Sequence, residues 1–176
     1  FCLSRGLGDV YKRQRIDTLE ALQAAVTHHI SSGAETLRKD KLTASSVSVF
    51  LHTDFFKESE PQYHNSQTIS LIVPTSDTVL LNHAAQKILA TIFRSGYLYK
   101  KCGIELHGLK PAEQIQADLW QSVTTNPVME AWDKINRQYG KGCLKLASEL
   151  LANNWEMNRD RLSQCYTTRF TDLPIV

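Results

Sequence analysis

The sequence predicts an α+β fold: a two-layer domain in which an antiparallel sheet carries two helices on one face, followed by a small mixed C-terminal tail. Three observations predict it. Two stretches repeat apolar residues every three or four positions, three shorter runs alternate apolar with polar residues, and the order along the chain is helix, strand, strand, helix, strand. Amphipathic helices and half-apolar strands each have one side to bury, and laying the helices on the apolar side of the sheet satisfies both.

The first helix opens after Asp17, which stands three residues before Glu20 as a variant of the capping box, and Leu19, Leu22, Val26, Ile30, Gly33 and Leu37 mark its buried stripe. In residues 45–55, Val47, Val49 and Leu51 fall on one side of a strand and Ser46, Ser48 and His52 on the other. The polar stretch KESEPQYHNSQ reads as a loop. In residues 68–73, Ile69, Leu71 and Val73 alternate with Thr68 and Ser70. A second helix runs from a cap at Asp77 towards Gly96, with Leu80, Ala84, Ile88 and Ile92 as its stripe. The third strand, residues 100–106, sets Cys102, Ile104 and Leu106 against Lys101, Gly103 and Glu105. A strand ahead of the first helix would complete a β-α-β-β-α-β unit, so the predicted sheet lacks its first, edge strand.

Residues 110–125 have no sustained periodicity and read as a linker with one apolar pair, Leu119-Trp120. Asn126-Pro127 then supplies a cap and a proline at the first helical position, and Met129, Trp132, Ile135 and Tyr139 share a face before Gly140. Residues 143–147 are a short strand candidate. The last two dozen residues are rich in aromatic and basic side chains and receive no element.

The front of the chain stands apart. Residues 4–14, SRGLGDVYKRQ, match in one frame the translation of a sequencing-library adapter, so residues 1–14 are expected to be non-native and are set aside. Without them the 20 basic and 18 acidic residues become 17 and 17, and the apparent basicity disappears. A net charge near zero leaves nucleic-acid binding to local patches. Cys102, Cys143 and Cys165 form no C-x-x-C pair, which fits a reducing cytoplasm and neither a disulfide framework nor a zinc site. No apolar run is long enough to span a membrane.

Catalytic chemistry is not legible. Asp54, Glu58 and Glu60 form the densest acidic group, but in a predicted loop they read as solvated charges. His28 and His29 are adjacent on a helix and should point apart, whereas ligand pairs on a helix want spacings of three or four. No nucleophilic triad or metal set emerges from spacing.

The C-terminal motifs carry a resemblance. Trp155-Glu-Met157-Asn-Arg159, Leu162-Ser163, Tyr166-Thr167-Thr168-Arg169 and Asp172-Leu173-Pro174 occur in the order found at the end of UmuC-like Y-family translesion DNA polymerases, with Gln164 where that family usually has proline. Tyr99-Lys-Lys101-Cys-Gly103-Ile104 resembles the last strand of the family's little-finger domain, and Asn65-Ser66 and Gly140-Lys-Gly142 fit the same pattern. The resemblance implies a little-finger domain at residues 15–109, a linker at 110–125 and a UmuC-type C-terminal domain at 126–176. The catalytic palm, with its magnesium ions, would lie outside these residues, and the chain alone would be inactive.

Function follows as expectation. The open, polar sheet face should contact the backbone of primer-template DNA through Ser46, Ser48, Thr68 and Ser70, with charge from Lys100 and Lys101, a basic pair that recurs in little fingers. Such contacts carry no sequence code. Gln116-Ala-Asp-Leu119-Trp120 resembles the bacterial sliding-clamp peptide, and its place after the little finger is where the family carries one. By resemblance, a UmuD-like dimer and a RecA filament are partners, in an SOS mutagenesis role in the cytoplasm. The rival expectation is a freestanding partner-binding module without DNA contact.

Overall fold

A computed structural model describes residues 15–57, 59–114 and 127–152, and the structural statements below concern these. Helix α1 (Leu19–Lys39) leads into strand β1 (Leu42–Thr53), which turns into β2 (His64–Thr75); helix α2 (Thr78–Ile92) follows, then β3 (Tyr99–His107), the two-residue β4 (Lys110–Pro111) and helix α3 (Pro127–Tyr139). The sheet is antiparallel in the order β2-β1-β3, with β4 pairing the start of β1. This is the expected α+β arrangement, with both long helices packed on one sheet face.

The core lies between the layers. Leu22, Val26, Ile30 and Leu37 of α1 meet Leu81, Ala85, Ile88 and Leu89 of α2 over Val47, Val49, Leu51, Cys102, Ile104 and Leu106 of the sheet. Burial pushes the Cys102 thiol up to about 12, so it remains protonated as a small apolar filler. Tyr99 is buried whole, and its hydroxyl is satisfied by donating to the Arg94 carbonyl at 2.8 Å and accepting from the Arg94 amide at 2.9 Å.

Several expectations need correction. The capping box at Asp17 and Glu20 is not formed: Thr18 is the N-cap of α1 and makes no side-chain cap bond. At α2 the Asp77 carboxylate does accept from the Val79 and Leu80 amides. Leu80 nevertheless faces outward, 57% exposed, and Leu81 is in the core instead, because a strict four-residue spacing drifts by about 40° per step back from Ile92, Ile88 and Ala84, which are buried as expected. The helix ends at Ile92, and Gly96 serves a later turn at φ +89°. The β1–β2 register breaks between Ala44 and Ser46, so Val73 is not carried into the core ladder with Ile69 and Leu71.

Past residue 109, Lys110–Pro111 is not free linker, because it pairs with Leu42 and Thr43 and the Ala112 amide donates to the Lys41 carbonyl at 2.9 Å. Residues 143–147 form no strand; the chain turns through Gly140 and Gly142, both at positive φ, into a 3₁₀ turn at Ala147–Leu150. On α3, Met129 is buried and Trp132 and Ile135 are half-buried, but Tyr139 at the end of the helix is exposed.

Among the described residues, Ile16 alone stands where the predicted sheet lacks its first edge strand. Ile16 donates to the Tyr99 carbonyl at 3.1 Å and accepts from the Tyr99 amide at 2.8 Å, an antiparallel bridge on the outer edge of β3. Helix α3 is fastened to α1 by Arg38, whose Nε and Nη2 donate to Asp133 at 2.6 and 2.7 Å while Nη1 donates to the Ser76 carbonyl and Thr78 Oγ1. The 3₁₀ turn docks on the same helix through Thr27 with Ser148 and His28 with Glu149. Among the described residues no helix is long and apolar enough to cross a membrane.

Candidate nucleic-acid interface

With the helices on one side, alternate residues of three strands make the other side of the sheet. The register sets Ser46 between Ser70 and His107, Ser48 between Thr68 and Glu105, Phe50 between Ser66 and Gly103, and His52 between His64 and Lys101. The four predicted hydroxyl residues therefore do share one face. On this face His64, Ser66, Thr68 and Ser70 of β2 are exposed, as are Lys101 and His107 on β3.

Sharing a face does not make them equally available. Ser48 is buried, with its hydroxyl 2.7 Å from Thr68 Oγ1 and 2.8 Å from His107 Nε2, so Ser48 and Thr68 already satisfy one another. The two predicted lysines part company for a backbone reason. His52 opposes Lys101, but Thr53 opposes Tyr99, which leaves Lys100 as the extra residue of a β-bulge. Lys100 is thereby aimed at the β1–β2 loop, where its Nζ lies 2.8 Å from Asp54 Oδ1 and 5.5 Å from the Phe56 ring centroid. The hydrogen bond from Lys100 holds the Asp54 carboxyl below its ordinary range. Lys101 stays on the open face and exposed.

The face also carries rings that the sequence reading did not assign to the site. Phe50, His52 and His64 lie on it, and Phe55 reaches it from the loop. His52 and His64 sit edge to face with ring centroids 4.0 Å apart, while Phe50 and Phe55 meet His52 edge-on at 5.4 and 5.7 Å. Gly103 makes room for this, since a Cβ there would come within 2.8 Å of Phe50 Cε1 and closer to Cζ. Burial, followed by the charges of His64 and Lys101, lowers the His52 pKa from its ordinary value. Phe50, His52 and His64, together with Ser48, Ser66, Thr68, Glu105 and His107, line an open groove of about 320 Å³, and Phe55 packs on its His52. Period-two alternation puts His52 on the same side as Ser46 and Ser48, and Phe50 between them follows from the same pattern. His64 was hidden because β2 begins four residues before its predicted start.

The remaining candidates divide. Asp54 and Glu60 are ion-paired, Glu60 with Arg15 at 2.6 Å, and Glu58 lies outside the described residues. His28 and His29 do not point fully apart: their rings meet at 6.0 Å, with His28 Nδ1 2.7 Å from Glu149. Among the described residues no three His, Cys, Asp or Glu side chains converge as a metal site. Gln116, Leu119 and Trp120 lie outside the described residues, as do residues 1–14 and the motifs of 153–176.

Comparison with known proteins gives two family matches. The impB/mucB/samB family C-terminal domain matches residues 6–119, starting inside the segment that reads as adapter, and a domain of unknown function, DUF4113, matches residues 126–176. Protein SamB of Salmonella typhimurium is 34% identical over 165 residues, 92% of this chain. Protein UmuC of Salmonella typhimurium strain LT2 is 33% identical over 164 residues, 91% of the chain, and Protein MucB of Escherichia coli is 36% identical over 166, 92% of the chain. The chain spans 39% of the length of each of these relatives.

Proposed function

Because the chain belongs to the impB/mucB/samB family, we propose that it is the DNA-holding and clamp-tethering part of an error-prone translesion DNA polymerase acting in SOS repair and mutagenesis. The observation that carries this reading is the open sheet face: small hydroxyl side chains in register across β1 and β2, with Thr68 and Ser70 exposed, and exposed Lys101 further along the same face. Hydroxyls and strand edges approach phosphates and sugars without reading bases, which suits an enzyme that accepts damaged template. Catalysis belongs to a palm domain, where the magnesium ions would be held, and no residue of this chain is given a catalytic or metal-binding role.

The tether is Gln116, Leu119 and Trp120. Side-by-side Leu and Trp in a stretch without periodicity are an apolar load suited to a preformed pocket on a sliding clamp, at affinity on the order of micromolar for a linear motif that orders on binding. Two weak attachments then act together at high effective concentration. A UmuD-like dimer and a RecA filament are proposed partners of residues 126–176, and the cytoplasm is the proposed location.

Fluorescence anisotropy on primer-template DNA across a salt series tests the DNA reading. Each phosphate contact contributes about −0.9 to the slope of log affinity against log salt. Lys101→Ala is expected to flatten the slope by about that amount, and Lys100→Ala by less, because Asp54 already neutralises it. The chain alone is expected to incorporate no nucleotide. Absence of salt-dependent binding would favour the partner-binding module without DNA contact.

A further inference from the structure

On the reading that the open face binds DNA, we infer that its loop end is a stacking site for an unpaired nucleobase of the single strand next to the duplex. Four rings gather on the wet side of the sheet, where no core requires them: Phe50, His52, His64 and Phe55, the last 58% exposed. Gly103 is the residue that lets the Phe50 ring spread over β3, since any side chain there would displace it. Phe50, His52 and His64 line a groove of about 320 Å³ together with polar side chains that include Ser66, Glu105 and His107, and Phe55 stands next to it against His52.

The chemistry of the groove selects its occupant. A ligand that fits must offer a flat apolar surface to the rings and hydrogen-bonding groups at its edge to the hydroxyl, imidazole and carboxylate side. It must also tolerate a cation, because Lys101 stands directly opposite His52 across the β1–β3 ladder. An unpaired nucleotide has all three features: a π-face, a polar edge and a phosphate one sugar away for the lysine. A paired base has its faces covered by neighbours in the stack and offers the rings nothing. The site therefore discriminates single strand from duplex, whereas the hydroxyl rows towards Ser46 and Ser70 do not.

The test uses the whole chain and three DNAs: a blunt duplex, the same duplex with a 5′ single-stranded extension, and that extension built with abasic sites, which keep the phosphates and remove the bases. Binding is read by anisotropy, and 2-aminopurine placed in the extension reports stacking by fluorescence quenching. The wild-type chain should prefer the normal extension over the abasic one by about tenfold, within the range expected for stacking one base. Phe55→Ser combined with His64→Ser, both at exposed positions, should erase that preference and the quenching while leaving blunt-duplex binding unchanged. Phe50→Leu is the second variant, with the same expectation. Lys101→Ala should weaken all three DNAs. If the wild type binds normal and abasic extensions equally, or the ring variants keep the preference, the stacking site is overturned while DNA binding by the face stands. If no DNA is bound and Lys101→Ala changes nothing, the underlying DNA reading has failed instead.

Discussion

Strand β1 has two faces built from alternate residues, and they differ in what determines each side chain's role. On the inner face Val47, Val49 and Leu51 are fully buried beneath two helices, and any apolar residue of similar volume serves there. On the outer face Ser48, Phe50 and His52 each depend on a particular partner across the ladder: a hydroxyl for Ser48, a missing Cβ for Phe50, a second imidazole for His52. Burial is a property that periodicity encodes. Availability for a ligand is a property of pairs, and it changes from one residue to the next.

The widest separation between the faces should appear in stability. Leu51→Ala removes a fully buried side chain and is expected to destabilise the fold by about 2–5 kcal/mol, whereas Ser46→Ala on the outer face should stay within about 0.5 kcal/mol. Urea denaturation of the two variants measures both, and comparable losses would break the contrast. Arg38→Ala comes next. It strips four hydrogen bonds from a guanidinium only 12% exposed and leaves Asp133, 18% exposed, without that partner, so a loss of about 2–3 kcal/mol is expected. Limited proteolysis should also cut earlier around α3, and an unchanged cleavage pattern would show that α3 is held by its apolar contacts alone.

A smaller effect belongs to the outer face itself. Gly103→Ala adds one methyl group beneath the Phe50 ring and is expected to cost about 1 kcal/mol by overpacking, most of it recovered by Phe50→Leu in the same chain. Additive effects in that double-mutant cycle would mean that the glycine is required by the backbone and not by the ring.

The sequence made the inner face legible almost residue by residue. Val47, Val49, Leu51, Cys102, Ile104 and Leu106 were placed by alternation, and the stripe of α1 by its three- and four-residue spacing. The exceptions come from local geometry: Leu80 is misplaced because a strict four-residue spacing drifts off the helical period over three steps, and Val73 because the β1–β2 register breaks before it. On the outer face the hydroxyl rows were legible, but the ring cluster was not. Its members come from β1, β2 and a loop, and only the pairing register brings His64 to His52. The separation of Lys100 from Lys101 was likewise out of reach, since a bulge is a mismatch between two strands and has no signature in either one.

The smallest expected effect is a pH dependence set by that register. His52 has its pKa lowered, first by burial and then by the charges of His64 and Lys101, the groups facing it from β2 and β3; on β1 and the loop its neighbours are the uncharged rings of Phe50 and Phe55. The unfolded chain therefore takes up a proton at His52 near pH 6.5, its ordinary value, while the folded chain does so only at lower pH. Between those two points the unfolded state binds more protons, so stability falls as pH drops from above 6.5 through the folded pKa, and the loss levels off below it. His52→Gln keeps a polar side chain and removes the titration. Urea melts of both proteins from pH 7.5 to 5 should show the wild type losing stability relative to the variant as the solution is acidified, with the difference constant above about pH 7.5. A difference that stays flat across the whole range would mean that His52 is as easily protonated in the fold as out of it. The imidazole pair on the open face would then not be held in the apolar, ring-lined setting on which the contrast between the two faces rests.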